Sequence, residues 1–153
     1  MSSKTSKPVK FKLAVVDDHP LVRQGLVENL HDDPLFEVVG QGGTADEGVD
    51  IARNLQPDLI FLDVNMPGGG VEAAARIHAV WPRIIIAMFS FRQDLAIVHA
   101  SLAAGATGYV VKGISGPALN KAAHRLLAGE TVIDAEVAKR LALDDTPASA
   151  STE

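Results

Sequence analysis

The sequence predicts a three-layer α/β domain, a parallel sheet with helices on both faces. Three observations carry this. Five short, β-branched or apolar runs recur, at residues 13–16, 36–39, 59–62, 84–89 and 109–111. Several of them are apolar without alternation, as in strands buried on both faces. An amphipathic stretch follows each run across a loop of a few residues. The order βαβαβαβαβα with short, right-handed crossovers then closes into a sandwich.

The elements can be justified in order. Residues 1–10 form a loose basic tail. After the first run, Leu21, Gly25, Leu26 and Leu30 fall at helical spacing behind Pro20, which suits a first turn. Thr44 and Glu47 form a capping box ahead of Val49, Ala52 and Leu55. Residues 71–80 are alanine-rich. Leu95, Val98 and Leu102 line one helical face, and Gly105 suits its C-terminal end. Ser115 caps a last helix holding Leu119, Ala123 and Leu126, with Gly129 after it. This gives a domain over 11–129. Residues 130–153 resemble an interdomain linker, with room for a short helix over 134–143 and an acidic Ser/Thr/Ala/Pro end that reads as disordered.

At 153 residues the chain is one domain in size. A chain of this length buries about two-thirds of its surface, enough for a core without staples. Cysteine is absent, which excludes a disulfide scaffold, a thiolate metal site and thiol catalysis. The net charge of −5 argues against a nucleic-acid surface on this chain. No apolar run is long enough to span a bilayer. Lys4, Lys7, Lys10 and Lys12 open the chain without the apolar stretch of a signal peptide. The expectation is a soluble cytoplasmic protein.

In open α/β sheets, sites gather at the carboxyl ends of the strands. The first run ends in Asp17-Asp18, the third in Asp63, the fourth in Ser90 and the fifth in Lys112. The second ends near Gly40 with nothing reactive. In a 2-1-3-4-5 strand order the four rich ends are neighbours. Three converging carboxylates repel, at about 4 kcal/mol per pair for a 4 Å separation and an effective dielectric near 20. Mg²⁺ relieves this, and carboxylates with a backbone carbonyl and waters suit it. A carboxylate beside Mg²⁺ and an ammonium is a phosphoryl acceptor by positioning and charge neutralisation.

Asp17-Asp18-His19-Pro20, the run from Leu62 through Asp63, Asn65 and Pro67 to Gly68, Ser90, and Gly108-Tyr109-Val110-Val111-Lys112 together resemble a two-component response-regulator receiver domain. Asp-Asp-His-Pro-Leu-Val-Arg with Gly-Tyr-Val-Val-Lys looks most like the subfamily with a LuxR-type (NarL/FixJ) helix-turn-helix output. The resemblance covers residues 12–129. It implies the flavodoxin-like (CheY-like) fold with five parallel strands in the order 2-1-3-4-5. It implies Asp63 as phosphoacceptor, Mg²⁺ bound by Asp18 directly, by Asp17 through water, by the Asn65 carbonyl and at Asp63, and Lys112 on the phosphoryl group. Ser90 becomes the switch hydroxyl and Tyr109 its coupled aromatic. The partners implied are a sensor histidine kinase and, on phosphorylation, a second copy of the chain. DNA is reached only through an output domain, which nothing after Asp144 can form. The role implied is a signalling switch, not an enzyme.

Other readings stand beside this one. Asp18 can simply cap the following helix. The Met66-Pro67-Gly68-Gly69-Gly70-Val71 loop is one residue shorter than the family's usual form, which motivates a degenerate, phosphate-independent binding module. An Mg²⁺-dependent phosphohydrolase wants a second acid where Asn65 stands. Three glycines without a following Lys-Ser/Thr do not make a nucleotide loop. His19, His31, His78, His99 and His124 have no ligand spacing and read as surface or capping residues.

Overall fold

The computed structural model describes residues 10–144. The basic tail before Lys10 and the acidic end after Asp144 lie outside the described residues. Every predicted strand and helix is present. β1 (Phe11–Val16), β2 (Phe36–Gly42), β3 (Leu59–Asp63), β4 (Ile85–Ser90) and β5 (Gly108–Val111) alternate with α1 (Pro20–His31), α2 (Ala45–Leu55), α3 (Gly70–Val80), α4 (Leu95–Ala103) and α5 (Gly116–Leu127).

One expectation is corrected. The sheet has six strands, not five, in the order β2-β1-β3-β4-β5-β6, all parallel. The added strand is β6 (Val132–Ile133), followed by α6 (Ala135–Leu143). Val132 N–H donates to the Thr107 carbonyl at 2.9 Å and Asp134 N–H to the Tyr109 carbonyl at 2.8 Å. These bonds cover the edge that β5 would otherwise leave open. β2 also runs past Gly40 to Gly42, because a bulge between Val38 and Gly40 carries the ladder across the glycine.

The missing alternation has a direct cause. Leu13 and Val15 face α1 and α5, with Leu26, Leu30, Leu119 and Leu126. Ala14 and Val16 face α2, α3 and α4, with Val49, Ile77 and Val98. Both faces of the sheet are covered, so both sets are apolar. Central β3 is buried at every position. Local caps match the sequence. Thr44 Oγ1 accepts from Glu47 N–H at 3.1 Å, and Ser115 Oγ from Ala118 N–H at 3.2 Å. α6 begins at the Asp134 cap and inserts a fully buried Val137 into the α2–α3–α4 layer.

Candidate functional site

The carboxyl ends of β1, β3 and β5 bring Asp17, Asp63 and Lys112 together. Parallel pairing of β1 with β3 puts Val16 opposite Leu62, so the next residues, Asp17 and Asp63, leave the sheet side by side. Both are buried, at 1% and 3% exposure. Lys112 follows β5, and its Nζ lies 2.8 Å from Asp17 Oδ2 and 3.3 Å from Asp63 Oδ1. The faces of Phe89 and Phe91 also border the ammonium, with centroids at 5.6 and 5.3 Å.

The backbone supplies the remaining partners. His19 N–H donates to Asp17 Oδ1 at 2.9 Å, and Asn65 N–H to Asp63 Oδ1 at 3.2 Å. Asp17 Oδ2 and Asp63 Oδ2 are buried without a hydrogen-bond donor. The 2.8 Å approach of Lys112 to Asp17 Oδ2 is therefore an ion pair whose alignment is off the hydrogen-bonding directions. Burial, reinforced by the Asp17 charge, raises the Asp63 carboxyl to about 6, against the pull of Lys112 and the Asn65 N–H.

This donor set fits a hard divalent cation. Oxygen atoms of Asp17, Asp18 and Asp63 and a ring nitrogen of His19 lie within 4.8 Å of one another. Two buried carboxylate oxygens have no hydrogen-bond donor among the described residues, and Asp18 is solvent-facing. Carboxylate oxygens with room for water are Mg²⁺ chemistry. The sequence reading gave His19 no metal role. It stands in this cluster, with Nδ1 3.1 Å from Asp18 and 3.4 Å from Asp17.

The shortened loop is built for close approach. Gly68 and Gly69 have φ of +87° and +86°, and a Cβ on Gly70 would collide with the Asp63 carbonyl oxygen. Gly70 N–H bonds to the Val64 carbonyl at 3.0 Å. α3 therefore begins directly against the end of β3. The loop holds the Asp63 backbone rather than leaving it loose.

Ser90 and Tyr109 meet at a loop that neighbours the acids. Asp63 pairs in register with Phe89, and Ser90 follows it, fully buried. Ser90 Oγ accepts from Arg92 N–H at 2.9 Å. The buried Tyr109 hydroxyl donates to the Arg92 carbonyl at 2.7 Å. Both expected switch residues thus grip one residue, Arg92, which the sequence reading did not single out. From α6, Arg140 Nη1 donates to the adjacent Gln93 carbonyl at 2.6 Å. A cleft of about 320 Å³ beside Trp81 and Arg83 lies at the opposite end of the sheet, away from the acids.

Comparison with known proteins agrees with this geometry. The family model of the response regulator receiver domain matches residues 13–124. The response regulator GacA of Pseudomonas aeruginosa is 35% identical over 134 residues, which cover 87% of this chain and 63% of that protein. This chain thus spans about two-thirds or less of the length of such relatives. A two-component response regulator of the LuxR family from Aurantimonas sp. is 31% identical, with a TM-score of 0.83 over 87% of this chain and 96% of that one. A CheY-like receiver domain protein from Methanospirillum hungatei, at 24% identity, shares the fold, with a TM-score of 0.73 over 79% of this chain and 95% of that one. No helix among the described residues is long and apolar enough to cross a membrane. The motifs that meet at this sheet edge and the match over most of the chain agree: the chain belongs to the response regulator receiver domain family, among its LuxR-type members.

Proposed function

We propose that Asp63 accepts a phosphoryl group from a phosphohistidine on a sensor kinase, with Mg²⁺ held by Asp17, Asp18, Asp63 and the Asn65 carbonyl. The observation that carries this reading is the pair of buried oxygens without a hydrogen-bond donor among the described residues, Asp17 Oδ2 and Asp63 Oδ2, beside the Lys112 ammonium. An Asp63 oxygen forms a bond to phosphorus while the phosphorus–nitrogen bond to the donor breaks. The electron pair leaves with the imidazole, which takes up a proton from solvent. A carboxyl near 6 is mostly ionised at neutral pH and so able to attack. Lys112 receives the incoming phosphoryl oxygens as a fixed charge. Mg²⁺, when bound, neutralises the charge that builds up on the acids and the phosphoryl group.

Ser90 is the switch hydroxyl in this reading. By donating to a phosphoryl oxygen it draws away from Arg92 N–H, and Tyr109, bonded to the Arg92 carbonyl, responds to that shift. Homodimerisation on phosphorylation is proposed through the α1–α5 side. There a groove of about 300 Å³ lies beside Leu21, which is 83% exposed, whereas α6 already packs on α4. The setting is cytoplasmic, and control of transcription runs through a LuxR-type output domain.

The test is phosphorylation by acetyl phosphate with and without Mg²⁺, read by intact-protein mass. A single adduct that needs both Mg²⁺ and Asp63 supports the assignment. An Asp63→Asn protein that still takes up one acid-labile phosphoryl group overturns it. The rival reading, a phosphate-independent module, rested on the shortened loop. The close fit of Gly70 beneath Asp63 removes that ground.

A further inference from the structure

Arg23 ends the Asp-Asp-His-Pro-Leu-Val-Arg run and lies outside the acidic cluster. β1 stops at Val16, and Asp17 N–H makes the last ladder-like bond, to the Gly42 carbonyl at 2.9 Å. The turn that carries Asp17 and Asp18 then leaves the sheet with two acids close together. One turn into α1, Arg23 folds back over it. Its Nη1 donates to the Asp17 carbonyl at 2.7 Å and to the Gly42 carbonyl at 3.3 Å. Its own N–H bonds to the His19 carbonyl at 2.9 Å. The segment after β2 packs against the same guanidinium, since a Cβ on Gly43 would sit 3.2 Å from Nη1.

We propose that Arg23 is a positioning residue for cation binding: one guanidinium nitrogen clamps the carbonyl ends of β1 and β2 and so fixes the Asp17–Asp18 turn over Asp63. The proposal rests on the Mg²⁺ reading above. Its physical basis is repulsion. Asp17, Asp18 and Asp63 gain by moving apart when no cation is present. Asp63 is braced by β3 and the Gly70 contact, whereas the Asp17–Asp18 turn has no strand partner beyond Gly42. A bond from a charged donor to a carbonyl is stronger than a neutral one. Arg23 thus holds the turn and places a positive charge behind it. Both bonds come from a single nitrogen, so a lysine ammonium of similar reach can replace them, whereas methionine cannot.

The experiment compares wild type, Arg23→Met, Arg23→Gln and Arg23→Lys as full chains. Mg²⁺ affinity is measured by calorimetry. Amide hydrogen exchange at Asp18 and His19 is measured in metal-free protein. Arg23→Met and Arg23→Gln are expected to bind Mg²⁺ about 10- to 150-fold more weakly, the factor that corresponds to losing one hydrogen bond from a charged donor. Both should exchange these two amides faster. Arg23→Lys should stay close to wild type in both measurements. A folded Arg23→Met protein with wild-type Mg²⁺ affinity and unchanged exchange overturns the proposal. If that variant does not fold, Arg23→Gln decides by the same criteria. A wild type that binds no Mg²⁺ overturns the metal reading and this proposal together. A wild type that binds, with unaffected variants, overturns the role of Arg23 alone.

Discussion

Lys112 sits closer to Asp17 than to Asp63, with Nζ 2.8 Å from the first carboxylate and 3.3 Å from the second. One buried cation is shared between two buried acids. The acid on β1 is its tighter partner, and the candidate phosphoacceptor on β3 is left partly uncompensated.

Removing that cation should be costly. Lys112→Met strands two carboxylates that are almost fully buried, and breaking a buried pair this way costs about 3–5 kcal/mol. Urea unfolding at neutral pH is expected to show that loss. The deficit should shrink toward pH 4, as the Asp63 carboxyl takes up a proton. A deficit independent of pH would mean that Lys112 acts through packing instead.

The pH dependence of Asp63 has a definite sign. Its carboxyl is raised from 3.8 to about 6 in the folded protein, by burial first and the Asp17 charge second. The fold therefore favours the protonated acid. That stabilisation is complete below the unfolded value and is lost as pH rises through about 6. Asp63→Asn should accordingly be more stable than wild type at pH 8, by up to about 3 kcal/mol at 1.36 kcal/mol per pH unit. The two should converge near pH 4. Saturating Mg²⁺ should raise the wild-type melting temperature and leave that of Asp63→Asn nearly unchanged.

Gly70→Ala tests whether the short loop is a strut or a defect. Its Cβ has nowhere to go except into the Asp63 carbonyl, so the end of β3 must move. Phosphorylation by acetyl phosphate is expected to fall at least tenfold, since small displacements of a reacting group are costly. Adduct formation at the wild-type rate would show that the loop does not hold Asp63.

β6 and α6 are expected to contribute to the stability of the whole domain. Val137 is fully buried in the layer formed by α2, α3 and α4. Val137→Ala should lower unfolding free energy by about 1–3 kcal/mol, the range for deleting buried methyl groups. A chain ending after Gly129 should lose more, because it also uncovers the edge of β5. Equal melting temperatures for the full and shortened chains would refute this.

The sequence by itself determined the alternation of strands and helices, the caps at Thr44 and Ser115, and the polar residues that follow or end β1, β3, β4 and β5. Those signals are local. An apolar run bounded by a turn, a capping box and a strand-ending acid each sit within a few residues of one another, and a βα repeat leaves few ways to order them. β6 stayed hidden because a two-residue strand has no period to read; it exists only because β5 offers an open edge. His19 keeps its expected surface and capping place, exposed at the N-cap of α1; that its ring also stands beside Asp17 and Asp18 follows only from the turn at Pro20. Arg23 and Arg92 were invisible as site residues for the same kind of reason. Arg23 donates to backbone carbonyls, and Arg92 is held through its own backbone N–H and carbonyl; a backbone group carries no letter in the sequence. Tertiary structure alone decided that Lys112 leans toward Asp17, because that preference depends on how three strand ends are spaced in a buried, low-dielectric edge.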